Sequence, residues 1–284
     1  MIISVASGKG GTGKTIVATN LAYSIGNNVQ ILDCDVEEPN VHLFLKPEGL
    51  KTSTFYVPVP KVDESKCSYC RKCVEICRFR AITIVGKTIL TFPELCHSCG
   101  GCVVVCPENA ISETGRELGV IKKGYVGSIE FVNGRLRVGE AMSPPLIKKV
   151  KSFLDPNKIN IIDAPPGTSC PVIAAMKDTD FVLMVTEPTP FGLHDLKLAV
   201  EAVKLLGIPY GLVINRSTIG NSDVRVYAEE NKIPILMEIP FDRKIAEAYS
   251  TGKLIVEAMP QWKSAFLELY ARIKALVSHK AVKQ

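Results

Sequence analysis

Residues 7–15 of this chain, Ser-Gly-Lys-Gly-Gly-Thr-Gly-Lys-Thr, contain residue types whose spacing suits phosphate binding. An apolar strand pattern precedes them and a helical pattern follows, which is the setting that a phosphate-binding loop requires. Glycines let the backbone turn its N–H groups toward phosphate oxygens, and the helix adds its positive end. We predict that Lys14 reaches the terminal phosphates and that Thr15 binds Mg²⁺. The predicted nucleotide-binding residues of this loop are Gly8, Gly10, Gly11, Thr12, Gly13, Lys14 and Thr15.

Eight of the ten cysteines form a second group of residues that could carry out chemistry. They lie in two arrays of C-x2-C-x2-C-x3-C, and the second array repeats the first 29 residues later. Three thiolates at such intervals can hold one face of an iron-sulfur cubane, while the fourth points elsewhere. Zinc is the main alternative, because thiolates in C-x2-C spacing also suit zinc. The arrays are Cys67, Cys70, Cys73 and Cys77, followed by Cys96, Cys99, Cys102 and Cys106.

Lys9 is a second lysine inside the glycine-rich loop, and the resulting K-G-G-T-G-K-T resembles the deviant phosphate loop of the MinD/ParA ATPases. The nitrogenase iron protein belongs to the same class. The resemblance implies a homodimer in which Lys9 crosses the interface and contacts the nucleotide of the other subunit. Lys9 and Lys14 are thus predicted catalytic residues, with a solvated loop lysine as the alternative for Lys9.

Acidic residues follow two apolar strand patterns, and the resemblance gives them roles. Asp35 matches the family carboxylate near the attacking water and Mg²⁺, so it is predicted to be catalytic and to bind Mg²⁺. Asp163 resembles a Walker B residue that holds Mg²⁺ through water. Gly167, in the Ala-Pro-Pro-Gly loop, matches a switch that senses the γ-phosphate. Asn215, Pro240 and Asp242 resemble nucleotide-contacting positions.

The cysteine arrays resemble those of bacterial two-cluster ferredoxins, in which the fourth cysteine of each array binds the other cluster. The resemblance implies two 4Fe-4S clusters with crossed ligands. One would be held by Cys67, Cys70, Cys73 and Cys106, and the other by Cys96, Cys99, Cys102 and Cys77. The first array continues with Arg78, where Pro107 follows the second. An arginine there is expected to raise the potential of the neighbouring cluster.

Three further residues leave alternatives open. Asp33 could act in catalysis or only cap the following turn. Cys34 is expected to be a small buried residue rather than a ligand. Cys170, just past Gly167, is expected to be an ordinary buried cysteine, with a metal shared between two subunits as the alternative.

Composition narrows the class of protein. The 284 residues are 46% apolar and 22% charged, which is typical of a well-packed globular chain. We expect a cytoplasmic protein without a leader or a membrane span, because no apolar run approaches about 20 residues. The formal charge of +5 does not indicate a nucleic-acid partner, since two clusters would neutralise most of it.

Strand and helix patterns alternate along most of the chain, which predicts a mostly parallel sheet with right-handed crossovers. We predict a strand over residues 55–59, a strand over 119–126 and a helix over 144–154. The alternating pattern of residues 129–138 predicts a hairpin that turns at Asn133-Gly134. The C-terminal helix carries an apolar face, which we expect to dock on the core rather than on a membrane.

These patterns together predict an α/β fold: a P-loop NTPase with a mostly parallel sheet, interrupted by a small α+β ferredoxin domain. The predicted segments are residues 1–60 and 117–284 for the ATPase and 61–116 for the insert. We expect an ATPase whose dimer closure is coupled to the insert, for electron transfer to, or cofactor maturation of, an unidentified metalloprotein. The alternatives are an iron-sulfur scaffold or carrier, and a positioning switch like MinD or ParA with structural clusters.

Overall fold

A twisted sheet forms the centre of the computed structural model, which describes residues 1–281. In this part of the chain nine strands lie in the order β11-β10-β9-β1-β8-β2-β7-β6-β3. The seven strands from β11 to β7 are parallel, whereas β6 runs antiparallel to both of its neighbours. The strands of this sheet are β1 (Ile2–Ala6), β2 (Val29–Asp33), β3 (Glu48–Val62), β6 (Ile111–Val126), β7 (Ile129–Leu136), β8 (Ile159–Asp163), β9 (Phe181–Thr186), β10 (Tyr210–Asn215) and β11 (Ile235–Ile239).

Helices cover both faces of the sheet, as parallel strands that are buried on both sides require. The central strand β9, for example, is buried at each of its six positions. Two apolar cores result, one on each face. The helices outside the insert are α1 (Lys14–Ile25), α2 (Val41–Leu45), α5 (Pro144–Lys151), α6 (Cys170–Met176), α7 (Pro190–Leu206), α8 (Asp223–Glu230), α9 (Arg243–Ser250), α10 (Ile255–Ala258) and α11 (Trp262–Ala281).

Strands β3 and β6 form a long antiparallel ribbon that extends beyond the parallel sheet. Their register runs from Glu48 opposite Tyr125 to Val62 opposite Ile111. Both strands are longer than predicted, because β3 spans Glu48–Val62 and β6 begins at Ile111. The predicted boundaries at residues 61 and 116 therefore fall inside the ribbon. The division of the chain into three segments stays a prediction.

Residues 63–110 connect the two ends of this ribbon, and we call them the insert. Their backbone repeats itself with the period of the cysteine arrays. Short 3-10 turns at Glu64–Lys66 and Pro93–Leu95 precede helices α3 (Lys72–Ile76) and α4 (Gly101–Val104). Left-handed backbone conformations also recur 29 residues apart, at Tyr69 and Ser98, Arg71 and Gly100, and Arg80 and Asn109. A hairpin of β4 (Ile82–Val85) and β5 (Thr88–Thr91) joins the halves.

The predicted hairpin at Asn133-Gly134 is wrong, because both residues lie inside the continuous strand β7. The chain turns instead between β6 and β7, where Val126 pairs with Ile129. Gly134 is needed for close packing: a Cβ there would lie 2.8 Å from Val150 and 2.9 Å from Val36. The glycine thus allows helix α5 to approach the sheet and does not make a turn.

Two helices outside the insert, α5 and α11, lie where the sequence predicts them. Helix α5 begins at Pro144 as predicted but ends at Lys151, three residues early. Helix α11 docks on the core through Phe266, Leu269 and Ile273, which are at most 1% exposed. In residues 1–281 there is no helix with the length and apolar character that crossing a membrane demands.

Candidate functional site

The glycine-rich loop connects β1 to helix α1, and two of its glycines are required by close contacts. Gly13 precedes the helix with φ of 96°, and a Cβ there would lie 2.4 Å from Nδ2 of Asn215. That same Nδ2 donates a hydrogen bond to the carbonyl of Thr12 at 2.8 Å. At Gly8, a Cβ would lie 2.1 Å from the carbonyl oxygen of Asp195. The loop is therefore shaped by strand β10 and helix α7 as well as by its own sequence.

Asp163 and Thr15 meet at the start of helix α1, where the predicted magnesium site lies. The hydroxyl of Thr15 donates to Oδ2 of Asp163 at 2.6 Å. The other carboxylate oxygen, Oδ1, is buried and has no hydrogen-bond partner in the described part of the chain. A buried oxygen without a partner is costly unless a ligand satisfies it. The pair fits a hydrated Mg²⁺, because a water bound to the ion would donate a hydrogen bond to Oδ1 of Asp163.

The carboxylates at this edge of the sheet are poorly solvated. Burial raises the pKa of Asp35 to about 7, and the charge of Asp163 adds to this, although Lys14 opposes it. Burial also raises the pKa of Asp163 to about 6, against the effects of Lys14 and Thr15. Perturbed carboxyl groups of this kind cluster at sites that bind cations or handle protons. The electrostatics of the cluster thus favour a bound cation.

A cavity with an empty volume of about 1160 Å³ opens beside the loop and contains most of the predicted nucleotide site. The predicted residues that line it are Gly10, Gly11, Gly13, Lys14, Thr15, Asp35, Asn215, Pro240 and Asp242. Gly8, Thr12, Asp163 and Gly167 lie outside its lining. Arg216 and Phe241, which belong to the same two sequence stretches as Asn215 and Pro240, also line it, and the structure adds Ile245 and Tyr249. Ile245 and Tyr249 were missed because they follow from the position of helix α9, which no sequence motif marks.

Asp33 has a structural position behind this cavity. Its buried carboxylate accepts hydrogen bonds from the backbone N–H of Val41 at 3.0 Å and of Asp35 at 3.2 Å. It therefore caps the start of helix α2, which favours the capping alternative.

The two cysteines outside the arrays differ in burial. Cys34 is fully buried, as expected, and burial raises the pKa of its thiol above the usual range. Cys170 is exposed at the first residue of helix α6, so the expectation of an ordinary buried cysteine is wrong.

Lys9 contacts a residue that the sequence did not single out. Its Nζ lies 3.7 Å from Oε2 of Glu187, whose side chain is 8% exposed. Glu187 also accepts a hydrogen bond from Nη1 of Arg216 at 2.9 Å through Oε1. One buried acid thus pairs with two cations at the rim of the nucleotide cavity, and it holds Lys9 within its own subunit.

The loop that contains Gly167 touches the phosphate-binding loop directly. The N–H of Gly167 donates to the carbonyl of Ser7 at 3.0 Å, and its φ is +100°. This conformation is strained for residues with a side chain. The predicted movement of Gly167 toward a γ-phosphate would exchange this hydrogen bond for a new one.

The eight array cysteines surround two cavities in the insert. Cys67, Cys70, Cys73 and Cys106 line one, with an empty volume of about 360 Å³. The second has an empty volume of about 470 Å³ and is lined by Cys77, Cys96, Cys99 and Cys102. The last cysteine of each array therefore faces the cavity of the other array, which is the crossed arrangement.

Backbone N–H groups point at the sulfurs with the same repeat. Tyr69 and Ser98 donate to Cys67 and Cys96 at 3.4 Å. At 3.3 Å, Ala81 donates to Cys77 and Ala110 to Cys106. Such hydrogen bonds stabilise thiolates and tune iron-sulfur centres. Among the side chains that the structure describes, those of residues 1–278, however, no three of Cys, His, Asp or Glu converge closely enough to hold a single metal ion.

The parallel sheet, the glycine-rich loop at a helix start and the Thr15–Asp163 pair define a P-loop nucleotide-binding protein. A family model for the CobQ/CobB/MinD/ParA nucleotide binding domain matches residues 3–255. The chain belongs to this family, is a P-loop ATPase, and binds ATP and Mg²⁺.

Individual relatives and structures agree with this assignment. An uncharacterized protein of Methanocaldococcus jannaschii is 33% identical over 89% of this chain and 90% of its own length. An iron-sulfur cluster carrier protein of Aquifex aeolicus is 26% identical over 98% of this chain and 68% of its own. The septum site-determining protein MinD of Pyrococcus horikoshii, solved with Mg-ADP, has a TM-score of 0.59. It is 21% identical and covers 94% of this chain and 93% of its own, which shows a shared fold.

Proposed function

We propose that this ATPase carries two 4Fe-4S clusters in its insert and couples its nucleotide state to them. The observation that carries the proposal is the crossed distribution of eight cysteines around two cavities. When bound, such clusters store and pass single electrons. Four thiolates of one zinc ion would converge on a point about 2.3 Å from each sulfur. Among the described side chains, no three of the array cysteines converge on such a point, and four surround each cavity in the crossed pattern instead, which favours cubane clusters over zinc.

The crossed arrangement also explains why the two halves of the insert stay together. Cys77 belongs to the first half but faces the cavity of the second, and Cys106 does the reverse. Each cluster would therefore tie both halves, and loss of one would loosen the whole insert. The backbone N–H groups of Ala81 and Ala110 hold the two crossing sulfurs in place.

The β3–β6 ribbon provides the mechanical connection between the insert and the nucleotide site. Its strand β6 pairs with β7, and β7 pairs with β2. Strand β2 ends at Asp33, two residues before Asp35 in the nucleotide cavity. A movement of the segment after β2 on ATP binding can therefore reach the insert through hydrogen-bonded strands.

The chain's own residues have defined roles in this proposal. Lys14 and the loop N–H groups bind the phosphates, Thr15 and Asp163 hold Mg²⁺, and Asp35 orients the attacking water. Two subunits close face to face over two nucleotides. Lys9 leaves Glu187 and reaches across to the other subunit, and hydrolysis reopens the dimer. Closure changes how the insert meets a partner protein.

We further propose that the partner is a metalloprotein, which receives one electron per step through the insert from an external low-potential one-electron donor. The second candidate is an iron-sulfur carrier, which is favoured by relatives that are named iron-sulfur cluster carrier proteins. The exposure of Cys70 and Cys99 fits either candidate, since one ligand of each cavity is accessible from outside.

An anaerobic redox titration followed by electron paramagnetic resonance tests the proposal. Wild type, Lys9→Ala and the matched surface variant Lys51→Ala are reconstituted with iron and sulfide and titrated with and without ATP-Mg²⁺. We expect about eight irons per chain, and an ATP-dependent change in cluster potential or spin coupling in wild type and Lys51→Ala only. Four or fewer irons, or spectra that ignore ATP, would contradict the coupled two-cluster protein.

The carrier candidate is separated by a transfer assay. The loaded protein is mixed with an apo-ferredoxin, and cluster appearance on the acceptor is followed with ATP and without nucleotide. Reversible reduction with clusters retained supports electron transfer. Net transfer of iron and sulfide to the acceptor, accelerated by nucleotide, supports the carrier instead.

A further inference from the structure

A second pocket lies next to the nucleotide cavity, and nothing in the ATPase chemistry uses it. Its volume is about 340 Å³, which is at the lower end of the usual range for small-molecule sites. Strands β6 and β7 form its floor, and the segment after β2 forms its opposite wall. Glu38 and Asn40 line both this pocket and the nucleotide cavity. Because it lies at the carboxyl edge of parallel strands, it occupies a position that favours ligands.

Three polar side chains of the floor share one face of the sheet. Asn133 and Arg135 are two residues apart on β7, so their side chains point the same way. Lys122 lies directly opposite Asn133 on β6. Neither Lys122 nor Arg135 forms an ion pair with any residue that the structure describes. Two cations thus stand together without an anion to neutralise them.

Asn133 is the strongest sign that this pocket binds a ligand. Its side chain lines the pocket, the residue is only 4% exposed, and its oxygen Oδ1 is buried without a hydrogen-bond partner among the described residues. A buried acceptor without a partner costs stability, and natural chains keep few of them. A ligand with an N–H or O–H donor would supply the partner.

The pocket combines cationic, polar and apolar lining residues. Burial lowers the pKa of His42, and the charges of Lys122 and Arg135 lower it further, so the pocket is electropositive near these residues. Glu37 and Glu38 also line it through exposed side chains. Leu43, Leu50 and Phe131 add an apolar surface. The lining therefore offers cations for an anionic group, the oxygen of Asn133 for a hydrogen-bond donor, and carbon for an apolar group.

We propose that this pocket binds a small zwitterion of the α-amino-acid class. Its carboxylate contacts Lys122 and Arg135, and its ammonium group, on the same carbon, donates a hydrogen bond to Oδ1 of Asn133 beside them. Its side chain contacts the apolar part of the lining. Charge-assisted contacts of this kind are the strongest that such a small ligand can make. The ligand would touch the same segment that borders the nucleotide.

Calorimetry with the nucleotide site filled by ADP-Mg²⁺ tests this site, because the phosphate-binding loop is then blocked. Each standard amino acid is titrated to about 10 mM, alongside succinate, which lacks an ammonium group, and putrescine, which lacks a carboxylate. We expect saturable binding of at least one amino acid, at least tenfold tighter than both controls, a difference of about 1.4 kcal/mol. No saturable binding by any amino acid, or succinate binding as tightly as the best one, would overturn the proposal.

A double variant and a matched control test whether Lys122 and Arg135 bind the carboxylate. Lys122→Ala with Arg135→Ala should weaken binding by about tenfold or more, since both contacts to the carboxylate are lost. The control, Lys148→Ala with Lys263→Ala, removes the same charge from exposed positions outside the pocket lining and should change binding less than about twofold. Equal affinity in the test and control variants would refute the assignment.

Asn133→Leu keeps the test decisive if the double variant does not fold. Because the buried oxygen Oδ1 has no partner among the described residues, leucine should leave the melting temperature unchanged or raise it. Amino-acid binding should fall by about fivefold or more, while ADP binding stays as in wild type. Full affinity for the amino acid in this variant would exclude Asn133 from the site and overturn the proposal.

Discussion

The nucleotide-binding part of the molecule and the insert differ in how much apolar surface they bury. Around the sheet, two large apolar cores surround strands that are buried on both faces. The insert contributes Ala81 and Cys96 to one small apolar cluster, which Val59 of strand β3 completes. Few further residues there are buried, and they are mainly on the β4 strand and at the base of β6. Apolar burial thus holds the ATPase together, whereas the insert has too little of it.

This difference indicates what each region needs from its ligand. A segment of about 50 residues with so small a core requires metals or cross-links to fold. The nucleotide site instead lies on strands and helices that belong to the two large apolar cores. We therefore expect the ATPase to keep its structure when its ligand is removed, and the insert to lose its structure when the proposed clusters are removed.

The largest effect is expected at the nucleotide site. Lys14→Ala should lower ATP hydrolysis by about a thousandfold, because a charge that faces the transferred phosphate is lost. Iron content and the melting temperature should stay as in wild type, since Lys14 supports neither core. Steady-state hydrolysis and iron analysis of the same preparation check this, and reduced iron would show that the regions are less separate than the structure indicates.

The second prediction concerns the insert. Replacing Cys67, Cys70 and Cys73 by serine removes three ligands of one proposed cluster. We expect proteolytic cleavage within residues 63–110 to become about a hundredfold faster, because metal binding and folding are linked there. The rest of the chain should resist cleavage as before. Timed proteolysis with mass spectrometry of the fragments provides the measurement.

Cys170→Ser is the matched control, since this exposed cysteine lies outside the insert. Its iron content per dimer and its cleavage pattern should equal those of wild type. Lower iron in Cys170→Ser would instead favour a metal shared between subunits. An insert that stays protected in the triple serine variant would show that apolar packing alone suffices.

The third prediction addresses the link between Lys9 and Glu187. Glu187→Gln removes the negative charge that holds Lys9 within its own subunit, while the side chain keeps its size. Lys9 becomes easier to transfer to the partner, so ATP-dependent dimerisation should tighten by about fivefold. Sedimentation at several protein concentrations measures this. The double variant Lys9→Ala, Glu187→Gln should show no gain, and a gain there would assign the effect to Arg216.

The fourth prediction, which has the smallest expected effect, compares the two halves of the insert. Arg78 follows the crossing cysteine Cys77, while Pro107 follows Cys106. Arg78→Pro should lower the potential of the cluster held by Cys77, since a positive charge is removed from its surroundings. The other cluster should keep its potential. Redox titration distinguishes the two, and unchanged potentials in both would show that Arg78 only faces water.

Much of this protein follows from its sequence alone. The glycine-rich loop, its Lys-Thr end and the acidic strand ends are short local patterns, because phosphate and Mg²⁺ need groups that neighbouring residues can supply. The alternation of strands and helices likewise predicts the parallel sheet. The cysteine repeat predicts two duplicated halves, and the backbone repeats with that period.

The tertiary structure decided what depends on distant contacts. Asn133-Gly134 has the local preference of a turn, yet it lies in a strand because helix α5 needs the space that Gly134 leaves. Glu187, Ile245 and Tyr249 reached the nucleotide site only through the packing of elements far apart in the chain. Local propensity is worth less than about 1 kcal/mol per residue, and burial in a packed core outweighs it. Motifs can therefore be recognised in the sequence, whereas packing determines which distant residues surround them in the fold.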